Sequence, residues 1–411
     1  MNRVMKIGRQ QKYLILFVFL LINLLFTNTV WALKQPSLSI NVGKQVTIAF
    51  ALYEKGELPD ALDKLIDIKS KTSFDKAYVN RFIGNLHWEL GHEKEALEAL
   101  KIALSENALG QKEQRASQRM LADLYLNQKK TPQAIALYKE LIGYAESESL
   151  YEHLAIAYYQ EKSWQPLIEA GNKAIALAVV FNKKVHILKL SAYYGLENYK
   201  SANKTLAKLT ELYPEEKRWW MQLASTYRLL KEDKKALATY ELAYLNGFVV
   251  SRDEIKYLAN FRAFLGSPYE AALLLESALN DGVIAKNSQV YQQLAIFWQA
   301  AREHDKALQY WDKSASLSDN PQHRLIEVQL LHRLGRYEEM LTVLDKIKSD
   351  NPEMKGKIAL TKVQALFELE NYAEALSITR LALTYPSAKK RAASWLKVLA
   401  NKLKEKQRIT A

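Results

Sequence analysis

Apolar and polar positions along the chain recur with a period of roughly one repeat every 35 residues. Aligning on a small or compact apolar residue gives Ala61, Ala96, Ala134, Leu167, Ala202, Ala236, Ala271, Ala307, Met340 and Ala375, at intervals of 33 to 38 residues. A second set lies twelve positions earlier: Ala49, Gly84, Ala122, Ala155, Leu190, Ala224, Ala259, Ala295, Val328 and Val363. Around both sets apolar residues return every three or four positions, which is the spacing of one helix face. Each interval therefore predicts two helices, with the aligned residues where the two backbones face each other. Large residues follow at fixed offsets. Tyr125, Tyr158, Tyr193, Tyr227 and Trp298 stand three after the earlier set, with His87 and Arg262 as exceptions. Leu65, Leu100, Tyr138, Leu206, Tyr240, Leu275, Trp311 and Leu344 stand four after the later one.

Proline is in phase with this pattern, as it must be if it is to stay out of helix interiors, where it loses a hydrogen bond and clashes with the preceding turn. Pro59, Pro132, Pro166 and Pro268 fall at the start of second helices, and Pro214, Pro321, Pro352 and Pro386 fall between pairs. Ser267 and Glu270, with Pro268 between them, predict a capping box. Small-xxx-large helix pairs on a period near 34 residues are the signature of the tetratricopeptide repeat. The expected fold is all-α: a right-handed α-solenoid of about ten helix-turn-helix repeats over residues 42–386, with a capping helix in residues 387–411.

Composition changes little in this picture. With 14 glycines and 9 prolines in 411 residues the chain is poor in turn formers, and it has no cysteine. Disulfides, thiolate metal sites and thiol nucleophiles are thereby excluded. Charge matters more once it is located. The formal +13 includes Arg3, Lys6, Arg9 and Lys12, which precede the apolar run Tyr13–Phe26 and a small-residue site at Val30 and Ala32. That order is the one of a secretory signal, so residues 1–32 are expected to be a cleaved signal peptide, residues 33–41 a leader, and the body periplasmic. An uncleaved inner-membrane anchor is the alternative. Residues 389–411 carry a local +7, leaving residues 33–388 at +2. A body so nearly neutral has no nucleic-acid footprint. The basic tail is expected to be the solvated face of the cap, with contact to a membrane or an acidic partner as the alternative.

Catalytic constellations are not evident. His87 to His92 has the wrong spacing for a zinc helix, and no phosphate loop or nucleophile elbow is present. No cofactor or metal is expected. A stacked helical array instead offers a concave face lined by its first helices. The fifth, ninth and twelfth residues of each repeat should point into it, among them Arg81, Asn85, Trp88, Arg119, Asp123, Tyr159, Tyr194, Arg228, Asn260 and Gln292. Met221, Ser225, Lys256, Gln299, Gln329 and His332 fall on the same positions. Such hydrogen-bonding groups suit an extended peptide, whose amides need partners. Arg81 and Asn85 resemble the first two members of the carboxylate clamp of chaperone-binding tetratricopeptide domains. Met120, Ser149 and His153 do not match its remaining members, so no clamp is expected.

The stretches FDKAYVNRFIGNLHWELGHEKEAL, QRMLADLYLNQ, RWWMQLASTYRLLKEDKKAL and AASWLKVL, behind the leader, resemble exported tetratricopeptide proteins identified as components of the TonB system. The RWW and terminal WLK segments discriminate best. The resemblance implies a non-enzymatic periplasmic accessory of TonB–ExbB–ExbD, the apparatus that drives iron–siderophore uptake across the outer membrane, with a protein or peptide partner and no catalytic residues. The alternatives are an adaptor for polysaccharide, lipopolysaccharide or pilus assembly, and a hydrolase or metal enzyme built around Glu89 and His92.

Overall fold

The computed structural model describes residues 37–318 and 321–410, and among them it contains helices and no strand. The expected signal peptide, residues 1–32, and the first residues of the expected leader lie outside the described residues. No helix among the described residues is long and apolar enough to cross a membrane.

The chain divides into two units between Glu197 and Asn198. The first contains α1 (Ile40–Glu54), α2 (Leu58–Ile66), α3 (Ser73–Glu89), α4 (Glu93–Ser105), α5 (Gln111–Asn127), α6 (Thr131–Tyr144), α7 (Glu148–Gln160), α8 (Trp164–Leu177) and α9 (Lys183–Gly195). The second contains α10 (Tyr199–Leu212), α11 (Lys217–Leu229), α12 (Asp233–Leu245), α13 (Arg252–Phe264), α14 (Pro268–Asn280), α15 (Ser288–Ala300), α16 (His304–Ser316), α17 (Pro321–Arg333), α18 (Tyr337–Asp345), α19 (Pro352–Glu368), α20 (Tyr372–Ala382) and α21 (Lys389–Thr410). Within each unit every helix packs on the next.

All twenty aligned positions are buried, from Ala49 and Ala61 to Val363 and Ala375. Size is the reason. At Gly84 a Cβ would lie 2.8 Å from Leu100 Cγ, so even alanine would force a shift there. Leu167 is accommodated in full burial, with Gly171 one turn further along the same helix. The large positions fill the space between pairs: Tyr138, Trp298 and Trp311 are sealed from solvent. Arg262, the charged exception, takes its slot by pairing with Glu241, its Nε and Nη2 donating to the two carboxylate oxygens at 2.6 and 2.5 Å.

One local turn recurs ten times along the backbone. The connection is three residues long, and its middle residue adopts positive φ: Gly56, Gly91, Lys129, Lys162, Glu197, Lys231, Gly266, Arg302, Gly335 and Glu370. At Gly91 the amides of Gly91 and His92 donate to the carbonyls of Trp88 and His87 at 3.0 and 2.8 Å. This is the Schellman closure, which satisfies carbonyls that the ending helix leaves open. The same long bond runs from Lys130 to Tyr125, Glu232 to Tyr227 and Glu303 to Trp298.

Two expectations are adjusted. Ser267 makes no side-chain cap, although Pro268 opens α14 as expected. As last residue of such a turn, Ser267 has ψ near 58°, away from the extended value seen at the Ser251 cap. The capping box is instead at Ser251 and Glu254, where α13 starts after a longer loop. The first helix begins at Ile40, two residues before the expected Val42, and the Ser39 amide donates to Asp75 Oδ1 at 2.9 Å. At the other end, α21 buries Ala392 and Leu399 against the last repeat, and the Trp395 ring packs tilted against Phe367 with centroids 5.1 Å apart.

Candidate functional site: the first-helix faces

In the first unit the expected face residues divide by what they touch. Arg81 and Asn85 are half-buried on α3. Trp88 packs against the cluster of Leu97, Leu100, Leu121 and Leu124, so its ring serves the core between two pairs. Arg119 and Asp123 meet one turn apart on α5, with Nε donating to the carboxylate at 3.1 and 3.2 Å. Arg119 Nη2 also donates to Ser149 Oγ at 3.1 Å and lies 2.9 Å from His153 Nδ1, both on α7. Tyr138 donates to Asp123 at 2.6 Å, and burial together with that bond pushes its phenol well above the ordinary range. Five side chains from three helices thus close on one another. Tyr159 is exposed near Trp164, and Tyr194 is half-buried on α9.

The second unit leaves its cation more open. Arg228, Met221 and Ser225, all expected on this face, line a pocket of about 460 Å³ with Ala224, Leu229, Tyr240, Tyr257 and Phe261. Arg228 Nη1 donates to the Tyr257 hydroxyl at 2.8 Å, and the guanidinium lies 5.3 Å from the Phe261 ring. Asp233 is 3.8 Å away, and half of the Arg228 side chain is exposed. The pocket wall is held from behind. Burial pushes the Tyr240 phenol up to about 12, reinforced by Glu254. Burial would raise the Glu254 carboxyl too, but Lys217, 2.5 Å away, and the Ser251 and Val250 amides together hold it at about 2. Phe264 extends the apolar surface of α13 and is 74% exposed.

Among the remaining positions, Asn260 and His332 meet partners about one repeat away, and Gln299 meets one on the second helix of its own pair. Gln293 donates to Asn260 at 2.7 Å, while Gln292, its neighbour, is half-buried on α15. Trp311 donates to Gln299 at 3.2 Å, and His332 lies 2.8 Å from Gln364. Residue-by-residue reading missed Tyr138, Ser149, His153 and Tyr257 as partners. The available signal was polar residues separated by about one period, as in Arg119 with His153 and Arg228 with Tyr257. Met120 and Ser149, where a carboxylate clamp would need other side chains, are followed by His153 engaging Arg119, so this corner binds itself. His87 and His92 approach with 3.4 Å between their Nδ1 atoms, and burial, then His92, hold His87 below its ordinary pKa. Among the described residues no group of three His, Asp or Glu suits a metal ion.

Residues 83–149 and 188–247 match the tetratricopeptide repeat family. These two stretches carry tetratricopeptide repeats, a class that typically binds proteins. Among curated proteins none matches. A tetratricopeptide repeat protein from Parabacteroides merdae is 14% identical over 72% of this chain and 98% of its own, with a TM-score of 0.39. The C-terminal part of a repeat protein from Cytophaga hutchinsonii is 16% identical over 66% and 95%, with a TM-score of 0.39. MamA from Desulfovibrio magneticus is 17% identical over 42% and 96%, with a TM-score of 0.36.

Proposed function

We propose that this chain is a non-enzymatic adaptor that holds an extended segment of another protein against its first-helix face, anchored at the Arg228 pocket. The pocket carries the reading. It joins an apolar floor to one half-exposed guanidinium and a phenol, which suits a bulky apolar side chain next to a carboxylate. Arg81, Asn85, Tyr159, Tyr194, Asn260 and Gln292 are assigned as secondary contacts, and Arg119, Asp123 and Trp88 as the framework beneath them.

The adaptor is assigned to the periplasm, and its partner to the TonB–ExbB–ExbD system. The signal-like leader supports the first assignment, and the likeness of the RWW and WLK segments to exported TonB-system repeat proteins supports the second. One observation keeps a second reading in view. Trp219 is buried under the Arg218 guanidinium, 4.0 Å from its ring, and Trp220 donates to the Pro214 carbonyl at 2.8 Å. Trp395 packs on Phe367. The discriminating residues are therefore packing residues, which an adaptor for polysaccharide, lipopolysaccharide or pilus assembly with the same repeats would equally need. A photocrosslinking residue at Ser225 in living cells, followed by mass spectrometry, tests the choice. Recovery of TonB, ExbB, ExbD or a receptor they energise is the expected result; recovery of only an assembly machinery would transfer the adaptor to that system.

A further inference from the structure

The helix α21 ends the second unit with a feature that the adaptor reading does not use. Its inward face is occupied: Ala392 and Leu399 are fully buried, and Trp395 lies against Phe367. At 100° per residue, the positions opposite that face are Lys390, Lys397, Lys404 and Arg408. They follow one another at seven, seven and four residues, and so form a straight stripe about 27 Å long at 1.5 Å per residue. All four are exposed, and among the described residues none has an acidic partner. Ala393, Ser394, Ala400 and Asn401, which lie between or beside them, are exposed and short, so nothing along the stripe stands proud of the cations.

The other charges of the helix are turned aside. Glu405, its single acid, is engaged by Lys402 at 3.0 Å. Lys406 bends back to the last repeat, where its Nζ donates to the Glu370 carbonyl at 3.4 Å and lies 5.4 Å from the Tyr372 ring. What faces solvent opposite the packed face is a flat row of four cations without acidic partners among the described residues.

We infer that this stripe docks the protein onto the surface of an anionic phospholipid bilayer. The charge is complementary, and the shape decides between anionic partners. Protein partners are held by side-chain anchors that fill pockets, and the stripe offers neither a pocket nor a large apolar residue along its line. A plane of phosphate headgroups needs only cations at one height. The apolar face of α21 is already spent on the repeat array, so binding is electrostatic, without insertion of the helix, and is screened within about 8 Å at physiological ionic strength.

The test uses the full chain and two vesicle types, phosphatidylcholine alone and phosphatidylcholine mixed with phosphatidylglycerol. Arg3, Lys6, Arg9, Lys12 and the apolar run behind them are common to wild type and to both variants below, so the comparison among the three proteins reads the cations of α21 alone. Wild type is expected to prefer the anionic vesicles at low salt and to lose that preference at high salt. Replacing Lys390, Lys397, Lys404 and Arg408 by Gln should reduce the preference by about five-fold per cation, at least about a hundred-fold together. Replacing Lys55, Lys94, Lys112 and Lys286 by Gln removes the same net charge elsewhere and should change it less than about five-fold. Because the stripe residues hold no partners, circular dichroism and melting should stay as in wild type. Equal loss in both quadruple variants, an unchanged preference in the stripe variant, or tighter binding to polyglutamate than to anionic vesicles would each overturn the inference.

Discussion

Arg119 and Arg228 both stand on first helices and both face the surface expected to bind a partner, yet they have different work. Arg119 in the first unit spends its guanidinium on Asp123, Ser149 and the edge of His153, above a sealed Tyr138. Arg228 in the second donates one bond to Tyr257 and leaves half of its side chain in solvent beside a pocket. A polar residue at a repeat's binding position is thus not automatically a binding residue. What separates the two is the next repeat. One period after Arg119 comes a pair of short acceptors that reach the cation, whereas after Arg228 comes an aromatic row that shields one side of it and leaves the other side open.

The largest effect expected from breaking this comparison is on partner capture. Arg228→Glu should weaken it by about 2 kcal/mol, roughly thirty-fold, because a central cation is reversed. Its stability should stay within about 1 kcal/mol of wild type, as the side chain is half exposed. Crosslinking yield from Ser225, read beside a denaturant melt, checks both. Arg119→Glu should do the opposite. It places a carboxylate against Asp123 and strands two acceptors on α7, for a loss of about 1–2 kcal/mol in stability with little change in capture. If Arg119→Glu abolished capture while leaving the denaturation midpoint unmoved, the division of labour between the two cations would be wrong.

A smaller, pH-conditional effect concerns the wall behind the pocket. Glu254 in the folded chain titrates at about 2, below its ordinary 4.5. Its contribution is therefore complete above 4.5 and is lost as pH falls toward 2. Glu254→Gln cannot ionise, so the difference in melting temperature between wild type and this variant should shrink steadily on acidification over that interval. A difference that stays constant would show that the capping box and Lys217 contribute no charge-dependent stability.

Much of this architecture was legible in the sequence. Twenty aligned positions were named, and all twenty are buried, because residue size is a direct record of how closely two backbones approach. Proline phase was legible for a similar reason, since a missing N–H leaves few places to stand. The site was less so. Positions five, nine and twelve do lie on first helices, but whether a side chain there is free depends on a partner about a period away, as Asn260 with Gln293 and Arg119 with His153 illustrate. Trp88, at a face position, is half-buried and packs against the core cluster, because at the boundary of a helix face a large ring covers more apolar surface than its Cβ direction indicates.

The turn inside each pair was the least legible element, and it yields the finest prediction. Positive φ is required at the middle residue ten times, yet glycine supplies it at only four of those positions; Lys129, Lys162, Glu197, Lys231, Arg302 and Glu370 take it instead. The left-handed conformation costs a residue with a side chain about 1–2 kcal/mol, whereas glycine forfeits about 0.5–1 kcal/mol of chain entropy. Replacement by glycine should therefore stabilise by about 0.5 kcal/mol. The gain should differ with charge, because these residues follow helix C-termini, where a cation is favoured by about 0.3–1 kcal/mol and an anion is not. Lys231→Gly gives up that attraction and should be nearly neutral, while Glu197→Gly relieves both the strain and the repulsion and should gain the most. Glu370 is a less clean probe because it faces Lys406 at 3.9 Å. Equal shifts in denaturation midpoint for the Lys231 and Glu197 variants would mean that backbone strain alone governs these turns and that the helix dipole contributes nothing measurable there.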